Sequence, residues 1–298
     1  MAALFGVVWY GIANTAMKYI ANRYDNNFIW LVRQYISIVF FAFLFVLIIT
    51  QVQWTPFFPL MSGLSRVILA GVWIFGFIGI ALLFESFDHL SAWVALTIAN
   101  TAVFFMFFAN ILIFAGSESL PWTQMLLGLI FFVIVAQFIL TTDEDHHFKL
   151  NIKALLPVGT ALCWATFFVA NTWFIKTGVM TPVQTVLMTE GAVFVVALLW
   201  YVVKFRDQLS HFIDSFSTSH IVPLILIGLG NVGGWFLFYY GYVENPANII
   251  NFIRLFAIIM TAILSWFFLG DRLNQRQIAL MSLAFVVLMA FVFAESLL

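Results

Sequence analysis

The chain has 298 residues, of which 64% are hydrophobic, 19% aromatic and only 8% charged, and its mean hydropathy is +1.08. Soluble domains are about 45–50% apolar and about 25% charged, so this composition excludes a soluble globular protein and predicts a polytopic membrane protein. Lys and Arg number 12 against 13 Asp and Glu, and no basic block is present, which excludes nucleic acid as a partner. The single cysteine, Cys163, excludes an intrachain disulfide and a thiolate cluster, so we expect no cofactor and no metal.

Ten apolar runs follow one another along the chain. A membrane-spanning helix needs about 20 mainly apolar residues. The runs are continuously apolar and do not alternate with the period of two that barrel strands require, so they predict helices. The first run begins directly after Met1, without the basic leader of an export signal, and we expect it to stay in the membrane. The runs cover residues 2–20, 28–50, 66–87, 91–115, 121–140, 154–174, 182–203, 221–242, 246–269 and 276–297.

The second half of the chain repeats features of the first. A step of 155 residues carries Trp9 onto Trp164. A step of 153 residues carries the pattern Glu-x-Leu-x-x-x-Gln at 118–124 onto Asp-x-Leu-x-x-x-Gln at 271–277, and each pattern precedes the last run of its half. Such spacing predicts an internal duplication.

Five runs in each half determine how the halves are oriented. After an odd number of spans the second copy enters the membrane from the opposite face, so the two copies are inverted. We therefore predict an all-α polytopic membrane protein with ten transmembrane helices, arranged as two inverted five-helix repeats. The repeats cover residues 1–145 and 146–298 and together form a single integrated transmembrane domain.

Two charged residues lie deep inside predicted spans, where charge is expensive and marks a functional hypothesis. Glu190 lies in the seventh run and Arg254 in the ninth. Both runs cross the membrane in the same direction, so the two side chains are expected at similar depth and close enough to meet. Two interpretations stay open. The residues form an ion pair that locks the helices, or they face a central cavity and recognise solute charge, with Glu190 also able to carry a coupling proton.

Polar and aromatic residues within the spans supply further candidates for a substrate-binding site. Asn251 lies one turn before Arg254 on the same helix face, and Asn100 lies in the fourth run. Hydrogen bonds between helices are the alternative role for both asparagines. The polar edges of Trp and Tyr seek partners away from lipid, so several of them are candidates for cavity walls as well as for packing. These aromatic candidates are Trp9, Trp164, Trp235, Tyr239 and Tyr240.

Motifs of soluble enzymes are absent or misplaced. The sequence contains no P-loop, H-E-x-x-H or G-x-S-x-G motif, and we expect no catalytic residues and no enzyme activity. Residues 228–233 match G-x-G-x-x-G but lie inside an apolar span, so we interpret them as small residues that allow close helix contact or a kink. The acidic and histidine-rich stretch 143–147 is expected to be a solvated connector and not a metal site.

Residues 269–277 read Leu-Gly-Asp-Arg-Leu-Asn-Gln-Arg-Gln. They resemble the signature LGERLSxRQ between the last two helices of EamA-type members of the drug/metabolite transporter superfamily, with Asp271 in place of the usual Glu. The ten spans, the duplication and Pro246-Ala247 at the start of the ninth span extend this resemblance over the whole chain. The resemblance implies a central cavity lined by helices one to four and six to nine, helices five and ten outside it, and export of a metabolite or amino acid.

These features together predict a secondary transporter that moves a small organic solute across the membrane by alternating access. The expected solute is an amino acid or a related amine or metabolite, and the expected direction is export. We expect an integral protein of the bacterial inner (plasma) membrane whose partners are the small-molecule solute and the lipid bilayer. The alternative is a membrane-embedded enzyme or a lipid-handling protein with a laterally open cavity. The sequence leaves open whether the protein is a monomer or a homodimer. The loop charges and the family resemblance favour opposite orientations of the termini.

Overall fold

The structure, a computed structural model, describes residues 2–21, 27–53, 61–87, 89–90, 95, 98–114, 122–142, 155–204, 216–270 and 273–294. These residues form ten α-helices and one 3-10 turn, Thr218–His220, and the described part contains no strand. The helices are α1 (Ala2–Ala21), α2 (Asn27–Gln53), α3 (Gly63–Phe87), α4 (Ala102–Ile113), α5 (Trp122–Thr142), α6 (Leu155–Lys176), α7 (Pro182–Lys204), α8 (Ile221–Glu244), α9 (Ala247–Leu269) and α10 (Gln275–Phe293). The predicted all-α architecture of ten helices is confirmed.

Most of the helices are long and apolar enough to cross a bilayer. Six described helices contain such a span: α2, α3, α6, α7, α8 and α9. Shorter apolar stretches lie in α4, α5 and α10. Helix α1 has 20 residues and carries Asn14 and Lys18 among its apolar side chains. The fourth helix is shorter in the structure than the predicted run, because Thr101 interrupts it with a turn after Asn100.

The two halves pack mainly against each other. Helix α1 packs on α8 and α9, and its counterpart α6 packs on α3 and α4. In the same way, α2 packs on α8, and its counterpart α7 packs on α3. Three further pairs each join a helix to its own counterpart: α2–α7, α4–α9 and α5–α10. Each helix of the first half has its counterpart five numbers later in the second half. Replacing every helix by its counterpart gives the same set of pairs, as a two-fold relation between the halves requires. The predicted boundary between residues 145 and 146 lies outside the described residues and stays a prediction.

Glycine brings the backbones of α1 and α8 together. A Cβ atom added at Gly230 would lie 2.6 Å from the Trp9 carbonyl oxygen and 2.9 Å from the Ala13 amide nitrogen. No side chain fits there, because both neighbours are backbone atoms held in a helix. The interpretation of residues 228–233 as a close helix contact is therefore confirmed.

The segment between α9 and α10 contains the described part of the signature. Helix α9 ends at Leu269, and the next residue, Gly270, has a φ of 74°, in the left-handed region that glycine favours. Helix α10 then begins with a capping box. The Asn274 side chain accepts a hydrogen bond from the Gln277 amide at 2.8 Å, and the Gln277 side chain accepts one from the Asn274 amide at 2.8 Å. These signature residues therefore end one helix and start the next, while Asp271 lies outside the described residues.

Candidate functional site

A narrow pocket lies between the two halves. Its walls come from α1–α3 of the first half and α6–α8 of the second, and its cavity volume is about 40 Å³. This volume is far below the range of about 300–1,000 Å³ that is typical of small-molecule sites, so the pocket has to widen before it can hold a solute. The described residues that line the pocket are Tyr10, Met17, Gln34, Tyr35, Ile38, Gly76, Ile80, Trp164, Phe167, Phe168, Glu190, Val193, Asn231 and Trp235.

Equivalent positions of the two halves contribute to the same pocket. A step of 155 residues relates four lining residues of the first half to four of the second. Inverted-repeat transporters place their substrate at such a repeat interface. The pairs are Tyr35 with Glu190, Ile38 with Val193, Gly76 with Asn231, and Ile80 with Trp235.

Glu190 is the one charged side chain among the described lining residues. It lies eight residues after Pro182 at the start of α7, about 12 Å along the helix axis. The side chain is 6% exposed, and within the described part of the chain its carboxylate has no ion pair and no hydrogen bond. The phenol groups of Tyr10 and Tyr35 line the same pocket and interact with it electrostatically. An ionisable side chain buried in a membrane span is by default a functional-site hypothesis.

Arg254 lies behind the aromatic wall of this pocket. Its guanidinium carbon is 3.7 Å from the centre of the Phe168 ring and 4.4 Å from that of Trp235, and the Tyr10 ring follows at 5.8 Å. The side chain is 1% exposed, and none of its three guanidinium nitrogens has a hydrogen-bond partner among the described residues. The Tyr10 hydroxyl lies near the guanidinium and interacts with it electrostatically. Cation–π contacts therefore hold this charge in place.

The sequence places Glu190 and Arg254 where they could meet, and the structure shows how the two side chains are arranged. They lie at similar distances along parallel helices, and both charges act on Tyr10. They form no ion pair, because the guanidinium stacks on the rings of Phe168 and Trp235, which also line the pocket. The carboxylate thus faces the cavity, and the cation lies one layer of side chains outside it.

Trp164 and Trp235, two of the aromatic candidates, line the pocket. Tyr239 is fully buried behind it, stacks on Trp235 with ring centres 6.1 Å apart, and accepts a 2.7 Å hydrogen bond from the Asn171 amide. The other two candidates lie away from the pocket. Trp9 is 41% exposed and Tyr240 is 46% exposed.

The two asparagine candidates are buried but do not line the pocket. Asn251 accepts a 2.7 Å hydrogen bond from the Tyr242 hydroxyl, and its amide nitrogen has no partner in the described part of the chain. Asn100 is buried just before the start of α4. The pocket lining likewise includes no described residue of α4 or α9, although the resemblance implies that these helices contribute to the cavity. Helices α5 and α10 contribute none either, as the resemblance implies.

Several lining residues were missed by sequence reasoning. Tyr10 and Tyr35 are tyrosines within spans, and nothing in their local sequence separates them from Tyr239 or Tyr240. Tyr35 could have been found, since the step of 155 residues relates it to Glu190. Gln34 also lines the pocket, and its buried amide nitrogen has no hydrogen-bond partner among the described residues.

No group of three or more His, Cys, Asp or Glu residues in the described part of the chain is placed to hold a metal ion. The stretch 143–147, expected to be a solvated connector, lies outside the described residues. The site is therefore described by one carboxylate, an aromatic wall and uncharged polar side chains.

Residues 151–293, most of the second half of the chain, match the family described as the EamA-like transporter family, which lies within the drug/metabolite transporter superfamily. The chain is thus similar to this transporter family over that range, and its apolar helices are those of an integral membrane protein. No protein with a curated description matches the sequence. One similar solved structure, titled "Crystal structure of protein", has a TM-score of 0.72 and 11% identity over 97% of both chains, which shows a common fold.

Proposed function

We propose that the protein is a secondary transporter that exports an amino acid or a related amine or metabolite by alternating access, and that it is not an enzyme. The proposed location is the bacterial inner membrane. The observation that carries the proposal is the Glu190 carboxylate, the single charge of the described pocket lining, at a position shared by the two halves. A protonated amine is the ligand group that such a carboxylate binds best.

The pocket wall favours a solute with an apolar portion. Trp164 and Phe167 line it with apolar surface, and the uncharged polar groups of Gln34 and Asn231 line it as well. An ammonium group would bind Glu190, while the apolar portion would contact the aromatic rings.

Arg254 is proposed to act at a second stage of the cycle. Its guanidinium has no hydrogen-bond partner among the described residues and is separated from the pocket by Phe168 and Trp235. A small movement of these rings would expose it to the carboxylate of a zwitterionic solute. Rocking of the halves across their shared helix contacts is the movement that alternating access requires.

The proposal is tested by ligand-induced thermal stabilisation of the purified protein, because binding to the native state raises apparent stability. Three probes separate the charges: phenethylamine carries only the amine, phenylacetate only the carboxylate, and L-phenylalanine both. We expect stabilisation by phenethylamine and L-phenylalanine and less by phenylacetate. Glu190→Gln should abolish the response to the amine.

The matched control is Glu85→Gln, since Glu85 is an exposed acid of α3 that does not line the pocket. It should leave all three responses unchanged. Equal stabilisation by the three probes, or an unchanged response in Glu190→Gln, would contradict the proposed site.

The alternative function, lipid handling through a laterally open cavity, has one observation behind it. An apolar groove lies between α2 and α8, but its described lining shares no residue with the central pocket. We therefore favour the carrier, with the groove as a separate feature of its surface.

A further inference from the structure

A buried cluster of polar side chains lies near the face of the protein where α6 and α8 end and α9 begins. This polar cluster consists of Asn171 of α6, Tyr239 and Tyr242 of α8, and Asn251 of α9, and all four side chains are 0% exposed. The Asn171 amide donates a 2.7 Å hydrogen bond to the Tyr239 hydroxyl. The Tyr242 hydroxyl donates one of 2.7 Å to Asn251 Oδ1. The rings of the two tyrosines are 5.8 Å apart, so the two hydrogen-bonded pairs form one cluster.

The polar cluster lies between this face and the central pocket. Tyr242 is two residues from the end of α8 and Asn251 four residues from the start of α9, which places them about 3 and 6 Å along the helix axes. Glu190 lies about 12 Å from the same face, at the start of α7. Tyr239 stacks on Trp235, which lines the pocket. The cluster is therefore contiguous with the pocket and continues it toward this face.

Part of the hydrogen-bonding capacity at this place is unused. Asn171 Oδ1 and Asn251 Nδ2 have no hydrogen-bond partner among the described residues, and neither have the three guanidinium nitrogens of Arg254, one turn beyond Asn251 on α9. Most buried polar atoms of a folded protein are hydrogen-bonded, so such a concentration of atoms without partners needs an explanation. An acceptor, a donor and a positive charge are the groups that bind the ammonium and the carboxylate of a zwitterion.

The fold does not require polar side chains at these positions. The step of 155 residues relates each of them to a position in the first half, and three of those positions carry buried apolar side chains. The same place in the architecture is thus filled by apolar packing in one half and by polar groups in the other, which favours a functional role for the polar groups. The pairs are Asn171 with Ala16, Tyr239 with Phe84, and Arg254 with Ala99.

A contact between two helix ends closes the polar cluster on this face. Lys176, the last residue of α6, donates a 2.8 Å hydrogen bond from its ammonium to the carbonyl oxygen of Asn245, in the connection between α8 and α9. Along the chain, Lys176 lies five residues beyond Asn171, and Asn245 lies three beyond Tyr242. The contact therefore ties α6 to α8 just outside the cluster, and it has to break before these helix ends can separate.

We propose that the polar cluster is the part of the solute path that is closed in this conformation, and that the Lys176–Asn245 contact is the gate at its outer end. When α6 and α8 separate, Asn171 and Asn251 would form hydrogen bonds with the solute as it leaves the pocket. This inference rests on the proposed carrier function and identifies the residues that line the path on the far side of the pocket.

Cysteine accessibility in the purified full chain tests the path. Cys163→Ala removes the single native cysteine, and Asn171→Cys or Asn251→Cys then places a thiol in the polar cluster. The rate of reaction with a water-soluble maleimide is measured. The matched control is Ala284→Cys, because Ala284 is 0% exposed and lies in α10, which does not line the pocket. Both cluster thiols should react faster than the control thiol, because a fraction of the molecules adopts the open conformation.

Lys176→Met tests the gate. The substitution removes one charge-assisted hydrogen bond, so the reaction rate of both cluster thiols should rise about tenfold. The rate at Ala284→Cys should stay unchanged. Arg66→Met, at an exposed arginine of α3, should change none of the three rates.

Three results would overturn the proposal. They are cluster thiols that react no faster than the control, unchanged rates in Lys176→Met, and a rise in Lys176→Met that includes the control thiol and so reports a general loosening of the fold. Failure of the proposed function gives a different pattern. If Glu190→Gln keeps its response to phenethylamine while the cluster thiols react as expected, the solute site is wrong and the gated polar path stands.

Discussion

Replacement of Arg254 by Met tests whether the charge of this side chain serves solute binding or stabilises the fold. Arg254 is 1% exposed and has no hydrogen-bonded or ionic partner in the described part of the chain. Burial of an unpaired charge costs several kcal/mol. The rings of Phe168, Trp235 and Tyr10 offset this by about 0.5–2 kcal/mol each. The two contributions are similar, so Arg254→Met should change the free energy of unfolding by no more than about 2 kcal/mol.

The same substitution should reduce transport of solutes that carry a carboxylate. A hydrogen bond to a charged group contributes about 1.5–3 kcal/mol, which corresponds to a loss of about 10–100-fold in affinity. In proteoliposomes, flux of L-phenylalanine should fall by about this factor, while flux of phenethylamine should stay near that of the wild type. Arg66→Met provides the control for loss of an exposed arginine.

A structural role would give the opposite pattern. Removal of one member of a buried ion pair costs about 3–5 kcal/mol, because the other charge is left without a partner. A large drop in the melting temperature of Arg254→Met, together with unchanged flux of L-phenylalanine per folded molecule, would refute our interpretation.

Two further substitutions test the packing of the helices. Gly230→Ala should lower the melting temperature markedly, because the added Cβ would lie 2.6 Å from a backbone oxygen. The control Gly233→Ala should be tolerated, because the nearest atom to its added Cβ would be 3.4 Å away. Similar melting curves for the two variants would contradict this expectation. Asn274→Ala removes the N-terminal cap of α10 and should destabilise the protein by about 1 kcal/mol. Ser282→Ala, on an exposed part of α10, is the control. Equal melting temperatures for the two variants would argue against the capping role.

Much of the fold was predictable because lipid imposes simple rules. Runs of about 20 apolar residues can satisfy their backbone only as helices, so α2, α3, α6, α7, α8 and α9 followed from length and composition. The close approach at Gly230 was predictable for a similar reason. Small residues inside a span allow a close helix contact or a kink, and Gly230 makes the close contact.

The site was only partly predictable. A charged residue inside a span is rare enough to be informative, and Glu190 does line the pocket. The position of Arg254 was not predictable from depth alone. Depth sets where two side chains lie along their helices, but not which neighbours each one contacts, and here the Arg254 guanidinium stacks on Phe168 and Trp235.

Aromatic residues were the hardest to assign. The chain has 37 Phe, 11 Trp and 8 Tyr, so each helix carries several, and both lipid and protein interior accept them. Trp164 lines the pocket while its equivalent, Trp9, is 41% exposed. The duplicated sequence relates such positions, but the tertiary packing decides which copy faces inward.

Counterflow of phenethylamine in sealed proteoliposomes, compared between Glu190→Gln and Glu85→Gln, tests the central claim most directly. Loss of exchange in Glu190→Gln, with Glu85→Gln near the wild type and both variants equally folded, is the result that a solute-binding carboxylate requires. Full exchange by Glu190→Gln would show that the pocket carboxylate does not bind the solute.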